Sequence, residues 1–269
     1  MASTPAKNPV PGMLRDGLHT RVVGRRISYF KGLSSTQDEV ARLAEQGADD
    51  GTAVLTETQT AGRGRFQRQW VSGHGNIHMS ILFRPSARAL QLLSIMSGVA
   101  VVRAIRKATG LTPTIKWPND VRLGGKKVSG ILVENTMRGN QVEYAVVGIG
   151  VNIALDVHSV EGLADIATTL NIEAGKPVDR EQVLRHLLHE LDTLYIAVGQ
   201  PSEAEGAADV VAEWKGLLET LGRRVEVRWG DEIHVGAAED VGPLGALLLR
   251  RDDGRVVTLP AGEVTSHLD

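Results

Sequence analysis

The chain has 269 residues, of which 30 are Lys or Arg and 32 are Asp or Glu, so its formal net charge is −2. This balance argues against a general nucleic-acid-binding protein, and the absence of cysteine excludes a disulfide scaffold, thiolate metal sites and a cysteine nucleophile. We expect neither a signal peptide nor a membrane span, because residues 1–12 lack an apolar core and the longest uncharged apolar stretch, Ala89–Val102, has 14 residues.

The N-terminal elements are predicted from hydrophobic periodicity and from the residues that start and stop helices. Residues 1–20 are polar and contain three prolines, which is typical of a flexible arm. Ser35 and Asp38 have the spacing of a capping box, and the apolar stripe that follows predicts a helix ending at Gly47. The other predictions in this half are strands at Arg26–Phe30, Ala53–Thr56 and Ile77–Phe83, a mobile glycine-rich loop over residues 60–76, and a central helix at Arg88–Thr109.

The rest of the chain divides into two regions of different texture. From Gly222, short strands alternate with tight turns, which is typical of a small β-barrel. We therefore expect a main domain over residues 21–220, with an α+β fold because neighbouring strands look hairpin-connected, and a barrel over 221–269. The predicted elements are strands at Thr114–Trp117, Val121–Leu123, Val128–Glu134 and Tyr144–Ile153, helices at Asp179–Val198 and Asp209–Leu221, and barrel strands at Arg223–Trp229, Glu232–Val241, Ala246–Arg250 and Arg255–Leu259.

One segment, Gln59–Trp70, concentrates two glycines and three arginines. The glycines let the backbone approach a ligand closely, the guanidinium groups suit phosphate or carboxylate, and the final tryptophan can stack on a planar ring. The alternative is an exposed basic hairpin tip, since Gly/Arg loops are common. No P-loop is present, because the residue after Gly125-Lys126 is not a hydroxyl residue, and Gly148-x-Gly150 lacks the third glycine of a dinucleotide-binding fingerprint.

A second cluster contains three of the chain's eight lysines, Lys116, Lys126 and Lys127, within twelve residues. The first opens a Lys-Trp-Pro-Asn-Asp run that ends at Asp120, and the last opens a strand that ends at Glu134. The plain alternatives are a tight turn for Pro-Asn-Asp and a solvated hairpin lysine for Lys127. The clustering of these scarce lysines argues against the plain alternatives, since fixed cations would offset the repulsion if an anionic substrate had to meet an anionic nucleotide.

Hydroxyl and imidazole groups give weaker signals. Residues 35–37 (Ser-Thr-Gln) lie at a predicted helix N-terminus, where capping is the usual role and contact of the hydroxyls with a ligand is compatible with it. His186 and His189 lie three residues apart on a predicted helix without forming H-E-x-x-H, so we interpret them as surface residues rather than metal ligands. His74 and His78 are interpreted in the same way.

Four segments together resemble motifs of the biotin protein ligase family and occur in that family's order. Residues 59–70 resemble its Gly-Arg-Gly-Arg loop, and residues 116–120 match its Lys-Trp-Pro-Asn-Asp motif. Residues 127–134 resemble its Lys-x-x-Gly-Ile-Leu-x-Glu segment, and residues 148–152 resemble its Gly-x-Gly-x-Asn strand end. The likeness spans about residues 26–268, without the N-terminal DNA-binding domain of the repressor-type members.

The resemblance implies a fold and a reaction. The fold is an α+β catalytic domain related to class II aminoacyl-tRNA synthetases, with a mixed sheet and helices, followed by an SH3-like β-barrel. In the reaction, biotin and MgATP form biotinyl-5′-AMP and pyrophosphate, and a lysine of a biotin carboxyl carrier protein then attacks the adenylate. The implied cofactors are ATP and Mg²⁺, and the implied location is cytoplasmic. We expect no DNA or membrane partner, and a homodimer stays open because relatives form them.

The resemblance also implies roles for individual residues. The candidate catalytic residues are Lys127, Arg65 and Asp120, the last as base or orienting group for the incoming lysine. We further expect residues 62–76 to be disordered without ligand and to close over the adenylate. The expected biotin contacts are Ser35, Thr36, Gln37, Gln59, Arg63, Gly64, Arg65, Lys127 and Gly130. The expected ATP contacts are Arg63, Arg65, Arg68, Trp70, Lys116, Asn119 and Asn152, and the metal ligands are unassigned.

Two other functions remain open. A lipoate or octanoate ligase of the same superfamily would bind a flexible fatty chain without a ureido head, and the conjunction of motifs favours biotin. A module that binds biotin without transferring it would lack basic residues, whereas Arg63, Arg65 and Lys127 are all present. The chain departs from the family pattern at Gln37, where Asn is usual, and at Gln67, where many members have Gly.

Overall fold

The structure is a computed structural model that describes residues 18–199 and 204–268. Most of the predicted N-terminal arm, residues 1–17, lies outside the described part of the chain. The segment that follows is fixed to a helix, because the buried Asp192 carboxylate accepts hydrogen bonds from the backbone N–H groups of Arg21, Val22 and Val23 at 2.8, 2.7 and 2.9 Å.

A seven-stranded mixed sheet forms the main body. Its strands are β1 (Ile27–Phe30), β2 (Ala53–Thr56), β3 (Ile77–Phe83), β4 (Thr114–Lys116), β5 (Asp120–Leu123), β6 (Lys126–Arg138) and β7 (Gln141–Val151). They lie in the order β1-β2-β3-β7-β6-β5-β4, with β1 parallel to β2 and every other pair antiparallel. Antiparallel pairs therefore dominate, and three of the six pairs (β4–β5, β5–β6 and β6–β7) are hairpins, which confirms the α+β prediction.

Helices cover the two faces of this sheet unequally. They are α1 (Thr36–Glu45), α2 (Ala87–Thr109), α3 (Leu163–Ile166), α4 (Leu170–Ala174), α5 (Arg180–Gly199) and α6 (Ala204–Leu217). α2 packs against α5, α6 and strands β5, β6 and β7, whereas α1 packs against β2, β3 and β7. By length and composition α2 is apolar enough to cross a membrane, but 72% of its most apolar stretch is buried within the fold. It is thus the central core helix that the sequence predicts.

Alternation along β7 decides where a ligand can bind. Val147, Ile149 and Val151 belong to the large core beneath α2, whereas Val146 belongs to the smaller core beneath α1. Successive side chains of a strand point to opposite faces, so the glycines at positions 148 and 150 share the α1 face with Val146. At these two positions, next to the N-terminus of α1, the strand therefore has no side chains of its own to cover the sheet.

The C-terminal strands form a five-stranded antiparallel sheet. They are β8 (Arg224–Trp229), β9 (Glu232–Val241), β10 (Leu247–Arg250), β11 (Val256–Leu259) and β12 (Glu263–His267), in the order β11-β10-β9-β8-β12. This sheet shares one hydrophobic core with the main body. At the junction, the indole N–H of Trp117 donates to the carbonyl of Gly245 at 2.9 Å.

Three structural features depart from the sequence-based expectations. A fifth C-terminal strand, β12, is present beyond the four predicted ones, and the short helices α3 and α4 occupy the segment after β7. Ser35 is the N-cap residue of α1, but its hydroxyl makes no capping hydrogen bond. The capping box expected from Ser35 and Asp38 is therefore not formed.

Candidate active site

Glycines form a flat floor on the α1 face of β6 and β7. Gly130 and Gly150 are directly opposed in the antiparallel pair, and Gly148 lies two residues before Gly150 on the same face. A Cβ at Gly150 would lie 2.3 Å from Cζ2 of Trp70, and one at Gly130 would lie 3.0 Å from Nζ of Lys127. The missing side chains thus let the indole and the lysine lie directly against the sheet.

Polar groups from α1 and the strand ends form one wall of this site. Gln59 Oε1 accepts hydrogen bonds from the backbone N–H of Thr36 at 2.8 Å and from its hydroxyl at 3.1 Å. The Thr36 hydroxyl also lies 2.7 Å from that of Ser80. The hydroxyl of Ser35 is buried and has no partner among the described residues. The wall therefore presents fixed donors and acceptors and one free hydroxyl.

Gln37 continues this wall over the glycine floor. Its amide Nε2 donates to Glu134 Oε2 at 3.1 Å, while its buried Oε1 has no partner in the described part of the chain. Its carboxamide carbon would lie 3.1 Å from a Cβ at Gly148. The extra methylene relative to Asn therefore brings the amide onto the floor, where its oxygen is free to accept a hydrogen bond.

The Gly-Arg-Gly-Arg segment folds back on itself above the floor. The Trp70 N–H donates to Gly62 O at 2.9 Å, and the Gly64 N–H donates to Arg68 O at 2.7 Å. A 3₁₀ turn at Arg65–Gln67 closes the loop, and its last two residues have positive φ angles of 55° and 58°. Residues other than glycine rarely adopt this left-handed backbone conformation, so the tip of the loop is strained.

Two arginines of the loop are fixed by the opposite side of the site. Arg65 donates to Asn119 Oδ1 at 3.1 Å and to the carbonyl of Gly262 at 3.0 Å, and burial lowers its pKa. The exposed Arg68 forms a two-pronged ion pair with Glu263, whose second contact is 2.7 Å long. The C-terminal sheet therefore contributes directly to the position of the loop.

Lysines supply positive charge at the β4–β5 end of the site. Lys127 Nζ lies 2.6 Å from Asp120 Oδ1 and 5.7 Å from the centre of the Trp70 ring. Burial and, secondarily, repulsion by Arg122 lower the pKa of Lys116. A buried cation gains more from meeting an anion than one in water, since the local dielectric is low.

Two buried asparagines complete this end. Asn119 donates from Nδ2 to Ile131 O at 2.6 Å, which turns its Oδ1 toward Arg65. Asn152 donates to Thr168 O at 3.3 Å, and its buried Oδ1 has no partner among the residues the structure describes. Asn152 therefore retains an unused acceptor.

His78 is buried, so its interpretation as a surface residue is wrong. Its Nδ1 accepts from the indole N–H of Trp70 at 3.4 Å, and its Nε2 donates to Gly73 O at 3.2 Å and lies 2.9 Å from the Ser72 hydroxyl. These partners assign a neutral ring protonated at Nε2, and burial lowers its pKa. That hydroxyl also accepts from the Gln59 N–H at 2.8 Å, so His78 ties the base of the loop together.

The wall, the glycine floor, the loop arginines and the lysines line one cavity of about 440 Å³. Sequence reasoning missed His78, Arg122 and Glu263, which also line it. The predicted site residues that it brings together are Ser35, Thr36, Gln37, Gln59, Arg63, Gly64, Arg65, Arg68, Trp70, Lys116, Asn119, Asp120, Lys127, Gly130 and Asn152.

The carboxylates that line the cavity do not form a cluster. Asp120 is paired with Lys127, Glu263 is paired with Arg68, and Asp165 is the third acidic residue in the lining. No group of three or more His, Asp or Glu side chains suited to a metal ion occurs in the described ranges. The lining therefore does not fit a metal ion held by protein ligands alone.

Comparison with known proteins agrees with this geometry. Residues 29–152 match the Biotin/lipoate A/B protein ligase family, and residues 220–265 match the biotin protein ligase C-terminal domain. The biotin--[acetyl-CoA-carboxylase] ligase of Paracoccus denitrificans is 36% identical over 86% of this chain and 96% of its own length. The bifunctional ligase/repressor BirA of Bacillus subtilis (strain 168) is 35% identical over 90% of this chain and 74% of its own length.

The fold leads to the same group. A structure of the biotin protein ligase from Aquifex aeolicus in complex with biotin and ATP is similar, with a TM-score of 0.77 and 29% identity, over 90% of this chain and 98% of that one. The family matches fall on the two regions that build the cavity, the seven-stranded sheet and the C-terminal sheet that holds its loop. By sequence, fold and the composition of its cavity, this chain belongs to the biotin protein ligase family.

Proposed function

We propose that this protein activates biotin with ATP to biotinyl-5′-AMP and transfers the biotinyl group to a lysine of a biotin carboxyl carrier protein. The observation that carries the proposal is that one cavity combines a hydrogen-bonding wall, a flat glycine floor and a cluster of cations. Binding of biotin, a bicyclic ureido acid, needs the hydrogen-bonding wall and the flat floor. Its reaction with ATP needs the cluster of cations.

The wall at α1 suits the ureido head of biotin. A ureido group donates two N–H bonds and accepts at its oxygen, so it needs both acceptors and donors. Thr36 and Gln59 are already oriented by mutual hydrogen bonds, and Ser35 Oγ and Gln37 Oε1 are buried without partners. A ligand that bonds these atoms removes the cost of leaving them unsatisfied. The acyl chain then runs past the Trp70 indole, which lies on the glycine floor, toward Lys127.

Adenylation brings a carboxylate and a triphosphate together, so its barrier is strongly electrostatic. Lys127 and Arg65, which line the cavity, are the proposed contacts of the carboxylate and the α-phosphate, and Lys116 and Arg68 supply further positive charge. Cations fixed in a partly buried site stabilise the transition state without the cost of reorganising solvent. AMP then replaces the carboxylate oxygen as the leaving group.

The nucleotide fits between the loop and the β4–β5 end of the cavity. Trp70 lines the cavity and is the proposed partner of the adenine ring, and the unpartnered Asn152 Oδ1 is the proposed acceptor for its exocyclic amine. We infer that Mg²⁺ enters with the phosphates of ATP, because such ions are usually held by phosphate and water as well as one or two carboxylates.

Transfer requires an uncharged amine on the carrier lysine. We propose that Asp120 accepts a hydrogen bond from this amine once Lys127, its partner at 2.6 Å, turns toward the adenylate. The amine attacks the acyl carbon, the bond to AMP breaks, and the proton leaves through the carboxylate. The carrier domain of a carboxylase is the proposed partner, as the names of the relatives indicate.

The remaining expectations stay predictions. A cytoplasmic location suits a reaction that consumes ATP, and a formal net charge of −2 favours a protein partner over DNA. A homodimer is a prediction from the family resemblance. These points rest on composition and family, not on the cavity.

The test is adenylate formation without carrier. The protein is incubated with MgATP and biotin, lipoate or octanoate, and the released pyrophosphate and the acyl-AMP are quantified. We expect about one biotinyl-AMP per protein and little product from the other acids. Preferential lipoyl-AMP would favour a lipoate ligase, and biotin binding without any adenylate would favour a binding module.

A further inference from the structure

The guanidinium group of Arg63 is surrounded by acidic side chains outside the cavity. Its Nη2 donates to Asp38 Oδ1 at 2.7 Å and its Nη1 donates to Asp38 Oδ2 at 3.1 Å. Nη2 also lies 3.4 Å from Glu134 Oε2. The same Glu134 oxygen accepts a hydrogen bond from Gln37 Nε2 at 3.1 Å. We call Arg63, Asp38 and Glu134 the Arg63 clamp.

The clamp joins three separate parts of the fold. Asp38 lies in the first turn of α1, Glu134 lies on β6, and Arg63 lies in the glycine-rich loop. The two carboxylates do not line the cavity, whereas Arg63 does. Asp38 and Glu134 therefore cannot act by touching substrate. Asp38 acts through the loop, and Glu134 acts through the loop and through Gln37, which it holds at 3.1 Å.

Charge also separates Arg63 from the other loop arginines. Its single positive charge faces two carboxylates, so it is fully compensated before any phosphate arrives. Arg65 makes its hydrogen bonds to the neutral oxygens of Asn119 and Gly262 and forms no direct ion pair among the described residues, although Asp120 and Glu263 attract it from a distance. This difference argues that the Arg63 side chain fastens the loop, while Arg65 meets the substrate anion.

The two fastenings lie on opposite edges of the loop. On one edge, Arg68 pairs with Glu263 of the C-terminal sheet, and on the other the clamp ties Arg63 to α1 and β6. A loop held at both edges closes the cavity, whereas a loop held at one edge can swing open. Release of a bound intermediate is controlled by such opening.

We propose that Asp38 and Glu134 are positioning residues that hold the glycine-rich loop closed through Arg63 and thereby retain biotinyl-AMP until the carrier arrives. The proposal rests on the proposed function, because it concerns the intermediate of that reaction. It predicts that weakening the clamp changes the release of the adenylate much more than its formation.

The test compares the wild-type protein with Asp38→Asn, Glu134→Gln and the double variant. Biotinyl-AMP is formed in place from biotin and MgATP, and its release is followed by filtration after dilution. We expect about three- to fivefold faster release for Asp38→Asn, more for the double variant, and an adenylation rate within about twofold of wild type. Asp38→Glu, which keeps the carboxylate, should restore slow release.

Two further measurements separate the clamp from general destabilisation. Asp49→Asn removes a more exposed ion pair, with Arg26, that lies away from the loop, and it should release adenylate at the wild-type rate. Amide exchange on the adenylate complex should increase in Asp38→Asn only over residues 62–70. Faster exchange throughout the protein would contradict a positioning role.

The outcomes distinguish the two proposals. Adenylate that forms normally and leaves the double variant at the wild-type rate would overturn the clamp while leaving the ligase function intact. A wild-type protein that forms no biotinyl-AMP would overturn both. Faster release that Asp38→Glu reverses is the result we expect.

Discussion

The contact between Lys127 and Asp120 places a cation and a candidate base 2.6 Å apart at the reacting end of the cavity. If Asp120 receives the proton of the carrier lysine, Asp120→Asn removes a group needed only in the second step. General bases contribute about 10²- to 10⁴-fold, so we expect transfer to slow by about 100-fold and adenylation by much less. Single-turnover measurements of both steps check this, and an equal loss in both would contradict the role.

Gly150 gives a second residue-level prediction. In Gly150→Ala the new methyl group would lie 2.3 Å from Trp70 Cζ2, so the indole must leave the floor. The fold should survive, because the displaced atom belongs to a side chain in a loop. We expect adenylation to fall by about tenfold to 100-fold, since small misplacements in a site are costly. Gly216→Ala, a helical position with open space around its Cβ, is the matched control and should be neutral.

The buried His78 ring predicts a dependence of stability on pH. Burial lowers the pKa of His78 below its ordinary value of 6.5, so the folded chain resists a proton that the unfolded chain accepts. The stabilisation is complete above pH 6.5 and is lost as the pH falls through the lowered value. Unfolding free energies between pH 7.5 and 5.5 should decline less steeply in His78→Gln. Parallel declines would show that His78 is not responsible.

At the scale of elements, the glycine-rich loop is the part whose order should respond to ligand. Two hydrogen bonds join the two sides of the loop, and their donors are the backbone N–H groups of Gly64 and Trp70. We expect the amide hydrogens of these two residues to exchange markedly more slowly when biotin and ATP are bound, because the adenylate fills the cavity beneath the loop. Exchange by mass spectrometry or NMR tests this, and unchanged rates at both amides would refute loop closure.

How far the sequence predicts the elements depends on their apolar pattern. The strands at Ala53–Thr56 and Ile77–Phe83 have the predicted bounds, because their apolar runs end at clear turn residues. The sequence did not predict β12 (Glu263–His267), because Val264 is its one buried apolar residue. The ion pair between Glu263 and Arg68 was therefore not predicted either.

The site residues divide in the same way. Lys127 and Asp120 lie in contiguous motifs whose residue types already suggest their chemistry, and the structure places them in contact. His78 carries no such signal, because its burial depends on Trp70 and Ser72, which only the folded chain brings beside it. Asp38 looked like a helix-capping residue and is instead a partner of the loop.

At the scale of the whole molecule, the two sheets share one hydrophobic core, although residue 220 was the predicted domain boundary. The fully buried Val264 of β12 belongs to the same cluster as Ile95 of α2. Val264→Ala should therefore cost about 2 kcal/mol and shift a single unfolding transition of the whole protein. Calorimetry with fluorescence of the four tryptophans checks this. Two separate transitions, of which only one moves, would support independent domains.

One cavity is proposed both to activate biotin and to deliver it to a carrier lysine. The most direct measurement is the intact mass of a biotin carboxyl carrier domain after incubation with this protein, biotin and MgATP, with Lys127→Ala in parallel. We expect an increase by one biotinyl group with the wild-type protein and none with the variant. An unmodified carrier, although the protein forms and holds biotinyl-AMP, would contradict transfer from this site, and equal labelling by Lys127→Ala would contradict the chemistry assigned to it.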